Sequence, residues 1–332
     1  MNKLKEFVET SLNKKIDRME QLPVSGSARS YFRVFTEDET YIALEHTSLQ
    51  ENGLFLDFSK RFANIGLSVP KIYAISDDKL SYIQEDLGDT MLLNIVNEDR
   101  DGDRLGYKTI ELYKKSLKEL TRFQFLGHKV VDYDDCIPRP VFDKRAMMWD
   151  LHYFKYCFLL LSGNVCNEDA LENDFEHLLN RICNVDTNAF MFRDFQSRNI
   201  MIKDHLPVFV DYQGGRQGAL HYDVASLLYD PIVDMPNEQR EELLDFYLHE
   251  IKSYKIVDDL KFKVEFCHFA LLRLLQALGA FGLRGLHEKK QHFIDSISPG
   301  LKITSLLLEH NHIVGCYPEL ERVIKVSVKN FC

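Results

Sequence analysis

No C-x-x-C pair occurs in this chain, and its seven cysteines (136, 157, 166, 183, 267, 316 and 332) are odd in number and widely spaced. That argues against a disulfide framework and offers no zinc-ligand spacing, so the expectation is scattered core thiols in a reducing cytosol. Positive charge is also short: 41 Lys and Arg face 51 Asp and Glu, a net of −10. Composition therefore makes no electrostatic case for nucleic acid or an anionic membrane. The longest apolar stretches are broken by charge before membrane-spanning length. Met1-Asn2-Lys3-Leu4-Lys5-Glu6 begins a charged amphipathic helix, not a secretory leader. The expected location is cytoplasmic. Neither G-x-G-x-x-G nor a Walker loop is present, and there is no internal repeat or low-complexity linker.

What is present suits a large globular chain. It has 332 residues, 45% apolar and 28% charged, enough to bury a core in one large domain or two lobes. Residues 2–19 carry Leu4, Phe7, Val8 and Leu12 at helical spacing. Small residues at 25–28 lead into two β-prone runs, Tyr31 to Phe35 and Tyr41 to Glu45, turned by Glu37-Asp38-Glu39. A helix over 51–64 and a strand pair, Lys71 to Ile75 and Leu80 to Gln84, follow. Glu85-Asp86-Leu87-Gly88-Asp89 closes this β-rich region. Downstream, helical spacing predominates: a long helix through Ile110 and Phe123, then segments at about 142–161, 168–183, 236–254, 258–284 and 287–309. The spacing predicts an α+β architecture of two parts, residues 1–88 and 89–332.

One downstream stretch is different. Asp194, then Asn199 five residues on, two short apolar runs forming a hairpin (Ile200 to Ile202 and Val208 to Val210), and Asp211 twelve residues after Asn199 make the skeleton of a phosphoryl-transfer site. One carboxylate can take the proton of an acceptor hydroxyl, while the amide and second carboxylate are hard oxygen ligands for Mg²⁺ on ATP. Gathering such groups beside an apolar wall is costly unless a metal or substrate satisfies them. Ser25-Gly26-Ser27 offers backbone N–H groups to phosphates, although such a turn is more often plain.

These residues resemble the aminoglycoside phosphotransferase/choline kinase family, whose fold is protein-kinase-like, with a small β-rich N-lobe and a larger, mostly helical C-lobe. Within it the resemblance is to the bacterial anomeric sugar kinases acting on N-acetylmuramate and N-acetylglucosamine. Its H-R-D-x-x-x-R-N-x-M appears as Phe192 to Met201, and its Y-D-V-A-S-L-L as Tyr222 to Leu228. S-x-R-x-Y-F-R-V appears as Ser27 to Val34. The resemblance implies Asp194 as catalytic base, Asn199 and Asp211 as Mg²⁺ ligands, and Glu85 to Leu87 meeting adenine through backbone groups. Asp223 is expected to cap a helix below the site without touching substrate.

Two departures stand out. Phe192 replaces the usual His, where a packed ring can do the bracing. The strand Tyr41 to Glu45 has Leu44 or Glu45 where protein kinases and aminoglycoside kinases carry a phosphate-binding Lys, and the sugar-kinase subgroup resembles this chain in lacking it. Arg29 and Arg33 are the replacement cations to consider.

For the acceptor, Gln196, Gln213 and Arg216 lie near Asp194 in sequence and hydrogen-bond sugar groups well; Arg198 can do the same or neutralise the transferring phosphoryl group. On the helix at 142–161, Trp149 can cover a sugar face and Asp150 accept hydroxyl protons. The expected function is ATP- and Mg²⁺-dependent phosphorylation of a small molecule, foremost the anomeric hydroxyl of an amino sugar. The alternatives are an aminoglycoside, choline or homoserine acceptor, or a pseudokinase-like module that binds nucleotide without transfer.

Overall fold

The β-prone runs at the start of the chain pair into one antiparallel sheet. The computed structural model describes residues 2–23 and 29–332, so the expected phosphate turn of Ser25, Gly26 and Ser27 lies outside the described residues. Strands β1 (Arg18–Gln21), β2 (Ser30–Phe35), β3 (Thr40–Glu45), β4 (Ile72–Ile75) and β5 (Ser81–Glu85) lie in the order β1-β2-β3-β5-β4. Side chains alternate between faces. One face presents Phe32, Val34, Tyr41, Ala43 and Ile83 to Leu4 and Val8 of helix α1 (Asn2–Leu12). The other presents two cross-strand rows, Tyr31–Leu44–Tyr82 and Arg33–Ile42–Gln84. Leu44 and Tyr82 there join one core with Leu54 and Phe55 of α2 (Leu49–Asn64).

The first helix is shorter than its periodicity predicts. It ends at Leu12, Asn13 takes a left-handed conformation (φ 50°), and residues 18–21 join the sheet edge as β1. Arg18-Met19-Glu20-Gln21 has a single apolar side chain, so no period-two signal marks it.

After β5 come α3 (Leu92–Glu98), a two-residue ladder of β6 (Arg100–Asp101) and β7 (Arg104–Leu105), and α4 (Tyr107–Phe125). Helices α5 (Lys144–Phe154) and α6 (Glu168–Ile182) follow. Two short ladders frame the motif: β8 (Ala189–Met191) with β11 (Arg216–Gly218), and β9 (Ile200–Lys203) with β10 (Leu206–Phe209). The rest is helical: α7 (Leu220–Leu228), α8 (Asn237–Ile251), α9 (Asp259–Phe281), α10 (Gln291–Asp295), α11 (Ile297–Leu308) and α12 (Pro318–Phe331).

Three downstream expectations need correction. The helix expected to reach 161 changes to a π turn at Lys155–Leu159, and α9 continues into another at Gly282–His287. The two run so close that a Cβ on Gly282 would stand 2.0 Å from the Cys157 carbonyl oxygen. The helix expected over 287–309 is two helices separated at Ser296. Helix α9 with its π turn is, by length and composition alone, long and apolar enough to cross a membrane, but 83% of its apolar window is buried inside the protein. Its hydrophobicity belongs to the core. Of the seven cysteines, all unpaired, Cys136 and Cys267 are buried in the core, Cys166 and Cys316 pack partly buried against it, and Cys332 is exposed.

Candidate active site

Between β8 and β9 the chain makes the loop Phe192 to Asn199, held from below by two carboxylates. Asp223 of α7 accepts the backbone N–H of Phe192 (2.7 Å) and of Arg193 (3.0 Å). Asp230, just past the end of α7, accepts from Ser197 Oγ (2.7 Å) and from its N–H (3.3 Å). Asp223 is therefore not the expected helix cap: Ala219 holds that place, and Asp223 points from the first turn into the loop. Burial pushes its carboxyl up to about 7, against the pull of the two N–H donors. These ties hold Arg193 at φ +82°, a conformation rare for a non-glycine residue.

Phe192 is 2% exposed and packs among Phe123, Phe190, Phe195, Phe209 and Tyr212, with ring centroids 5.0–6.1 Å away. Packing braces the loop where a histidine would need a hydrogen-bond partner. The next residue after this hub reaches the opposite way. Arg193 grips Asp150 of α5 through both terminal nitrogens (2.6 and 2.5 Å) and lies over the rings of Phe142 and Tyr222.

The Asp194 carboxylate is left half-exposed, with Arg273 Nη2 of α9 at 3.9 Å from its Oδ1. Ser226 Oγ (2.9 Å) and Gln276 Oε1 (2.7 Å) fix that guanidinium. Asn199 donates its NH₂ to the Asp194 carbonyl (2.8 Å), which turns its amide oxygen away as the remaining acceptor. The β9–β10 hairpin then returns the chain: Val210 N–H meets the Asn199 carbonyl (3.1 Å), and Asp211 follows at φ +66°. Asp211 Oδ1 accepts from Gln213 Nε2 (2.7 Å) and lies 3.6 Å from Arg29 Nη1. Walled by protein, the Asp211 carboxyl is pushed above the ordinary Asp value, with the charge of Asp194 adding to the effect, yet 42% of its side chain stays accessible. Asp194, Asn199 and Asp211 thus lie at one end of the hairpin, below the sheet.

The two candidate replacement arginines separate. Arg29 reaches Asp211, its Nη1 3.6 Å from the carboxylate. Arg33 is taken up by Asp86 (Nε, 2.8 Å) and Asp89 (Nη2, 2.8 Å) and braces the connector between sheet and helices instead of meeting phosphates. At Glu85 the N–H bonds the Lys71 carbonyl (2.8 Å) and the carboxylate pairs with Lys203 (2.5 Å), which leaves the backbone carbonyl as the group that could meet adenine. Leu87 is buried in the same connector.

Among the expected acceptor residues, Asp150 is 5% exposed and closed by Arg193, so it presents no open carboxylate. Arg216 is buried on the carbonyls of Gly214 and Ile137 and braces the chain, with burial and the neighbouring charge of Arg193 lowering it to about 10. Gln196 is buried, its Oε1 taken by Arg198 (Nε 3.1 Å, Nη2 2.9 Å). Gln213 is committed to Asp211 through its NH₂. Trp149 stays 46% exposed on α5, with Arg139 over its ring. Sequence reading missed Asp230 and Arg273. Asp230 precedes a proline and reads as a turn residue, and Arg273 is hidden in an apolar helix.

No group of three or more His, Cys, Asp or Glu side chains among the described residues could by itself hold a metal ion. One carboxylate and one amide suit Mg²⁺, which keeps waters and is completed by substrate phosphates.

No family model matches the chain. It is similar to an N-acetylmuramate/N-acetylglucosamine kinase of Pseudomonas aeruginosa, 25% identical over 238 residues, 69% of this chain and 65% of that protein. The chain thus matches just under two thirds of that relative's length. It is similar also to the N-acetylmuramate/N-acetylglucosamine kinase of Pseudomonas putida, 22% identical over 89% of this chain and 83% of that one. Among solved structures, choline kinase from Cryptosporidium parvum superposes with a TM-score of 0.62 at 13% identity, covering 93% of each chain. The amicoumacin kinase hAmiN, solved in complex with AMP-PNP, Ca²⁺ and Ami, gives 0.60 at 13% identity, covering 88% of this chain and 91% of that one. The resemblance read from the motifs is the one these comparisons return, and the fold is protein-kinase-like.

Proposed function

We propose that this chain is an ATP-dependent small-molecule kinase that phosphorylates the anomeric hydroxyl of an amino sugar of the N-acetylmuramate/N-acetylglucosamine type. The observation that carries the reading is the convergence of Asp194, Asn199 and Asp211 at one end of the β9–β10 hairpin, with the two carboxylate side chains still partly accessible. ATP with Mg²⁺ supplies the phosphoryl group and the positive charge that draws it toward transfer. The residues fit that group. Asn199 Oδ1 and the accessible Asp211 carboxylate would hold the cation, and the sheet above would cover the nucleotide.

Asp194 accepts the proton of the acceptor hydroxyl and keeps that oxygen in line. An anomeric hydroxyl is more acidic than an ordinary alcohol, so a carboxylate suffices as base. Asp223 and Asp230 hold the loop so that Asp194 need not be repositioned during turnover. Arg273 beside Asp194 and Arg198 within electrostatic reach of Asp211 disfavour a polycationic acceptor and suit a neutral or anionic one. Arg216, which sequence reading counted here, plays no part in that balance. The similarity to the two Pseudomonas kinases supports the same acceptor class.

A substrate screen tests this. ATP consumption is measured with N-acetylglucosamine, N-acetylmuramate, choline, homoserine and an aminoglycoside, and the product is located by ³¹P NMR. Phosphate on C1 of an N-acetyl hexosamine is expected. No turnover of any N-acetyl hexosamine overturns the acceptor assignment, and turnover of choline or the antibiotic replaces it.

A further inference from the structure

Related phosphotransferases of this architecture pair a strand lysine with a helix glutamate to hold the nucleotide phosphates. The strand here has no such lysine. Leu44 lies on the α2 side of β3 and is fully buried in the core with Phe55 and Tyr82. Its register partners are Tyr31 on one side and Tyr82 on the other.

Arg29 lies close to that place, arriving from the segment just before β2. It is 3% exposed, lies within electrostatic reach of Tyr31 and Tyr82, and stands 6.0 Å from the Phe55 ring centroid. The residues around the guanidinium are thus the neighbours of Leu44. Its charged end bridges two carboxylates: Nη2 is 3.5 Å from Glu51 Oε2, and Nη1 is 3.6 Å from Asp211 Oδ1. Glu51 is fixed in the first turn of α2, where Ser48 caps the helix by accepting the Glu51 N–H (3.2 Å) and His46 Nε2 lies 3.2 Å from its carboxylate.

We infer that Arg29 and Glu51 form the phosphate-positioning ion pair of this protein, with the cation moved from the centre of β3 to the segment before β2. The inference rests on the nucleotide-dependent reading above. A phosphate that shares a cation with Asp211 comes within a few Å of Nη1. The choice of arginine has a physical reason. A lysine enclosed by Tyr31, Tyr82 and Phe55 could shed its proton, whereas a guanidinium stays charged when buried and offers two donors to a phosphate. Glu51 turns the guanidinium toward Asp211, the part the helix glutamate plays toward a strand lysine.

The test compares a ligand with phosphates to one without. Mg²⁺·ADP and adenosine are titrated calorimetrically into wild type, Arg29→Met, Arg29→Lys and Glu51→Gln, each first shown folded by its thermal melt. Arg29→Met should weaken Mg²⁺·ADP about ten- to hundred-fold, the loss of a charge-assisted contact, and leave adenosine unchanged. Arg29→Lys and Glu51→Gln should fall between. In turnover, the KM for ATP should rise with that for the acceptor unaltered. Unchanged ADP affinity in Arg29→Met overturns the inference, and so does an equal loss of ADP and adenosine, which marks Arg29 as a structural brace. If the wild type phosphorylates no N-acetyl hexosamine, the acceptor assignment fails while the ADP–adenosine comparison still decides the role of Arg29.

Discussion

Arg193 closes the carboxylate of Asp150 with both of its terminal nitrogens, at 2.6 and 2.5 Å, and so ties the residue before the proposed base to helix α5. Removing one partner of a buried pair strands the other, at a cost of about 3–5 kcal/mol. Asp150→Ala should therefore lower the urea midpoint and kcat together. The near-isosteric Asp150→Asn separates the two roles. A pair that positions the loop predicts loss of stability with little change in acceptor KM. A carboxylate that touches the acceptor predicts the reverse.

Asp194→Asn removes the proton acceptor but no contact to nucleotide. Turnover should fall about 10²–10⁴-fold while Mg²⁺·ADP binds as before. Full activity in this variant would remove Asp194 from the role of base.

The Asp223 carboxyl, pushed up to about 7 by burial, links stability to pH. Between the ordinary Asp value near 4 and about 7, the unfolded chain has released this proton while the folded chain keeps it. Stability from this group therefore falls as pH rises through that window and levels off above it, by roughly 4 kcal/mol at most. Asp223→Asn cannot ionise. The advantage of wild type over Asp223→Asn should be largest near pH 4 and narrow toward pH 7, as read from urea unfolding at each pH. A constant difference would contradict the assignment.

Ser197→Ala deletes the hydroxyl on Asp230 and leaves a buried carboxylate short of a donor. We expect a stability loss of about 1–3 kcal/mol and a fall in kcat with the KM for ATP unchanged, because the far end of the loop is released. Steady-state kinetics beside a denaturant titration checks both.

Placing at 192 the histidine of the H-R-D motif that this stretch resembles should do harm. The side chain at 192 is enclosed by five aromatic rings, so Phe192→His buries imidazole nitrogens among them. Loss of about 1–3 kcal/mol without a gain in kcat is expected. Higher kcat would show that packing is a poor substitute for the hydrogen bond.

How legible all this was depended on where each signal lives. Asp194, Asn199 and Asp211 sit at fixed offsets around a hairpin of two short apolar runs, so their convergence follows from local geometry. The strands at 30–35 and 40–45 announce themselves by β-branched and aromatic residues. Residues 18–21 do not, because an exposed edge strand needs no apolar alternation. Asp150 was placed on the right helix, but the guanidinium that closes it comes from forty-three residues away, and no spacing rule reaches that far. Arg216 and Arg33 failed for a related reason: a charged side chain near a motif looks like a ligand contact until its buried carbonyl or carboxylate partners are known. Arg273 and Asp230 were invisible because tertiary packing alone brings them to the loop.

Asp223 and Asp230, which fasten the two ends of the loop, are seven residues apart along and just past one helix, an axial span of about 10 Å at helical rise. That makes α7 a spacer whose length is matched to the stretch from Phe192 to Ser197. Losing one residue from either would rotate or shorten one side by a step the other cannot follow, about 100° and 1.5 Å on the helix. Insertions and deletions in this part of the chain should therefore be tolerated only in compensating pairs, and homologues aligned here should hold both lengths constant while their surface loops drift.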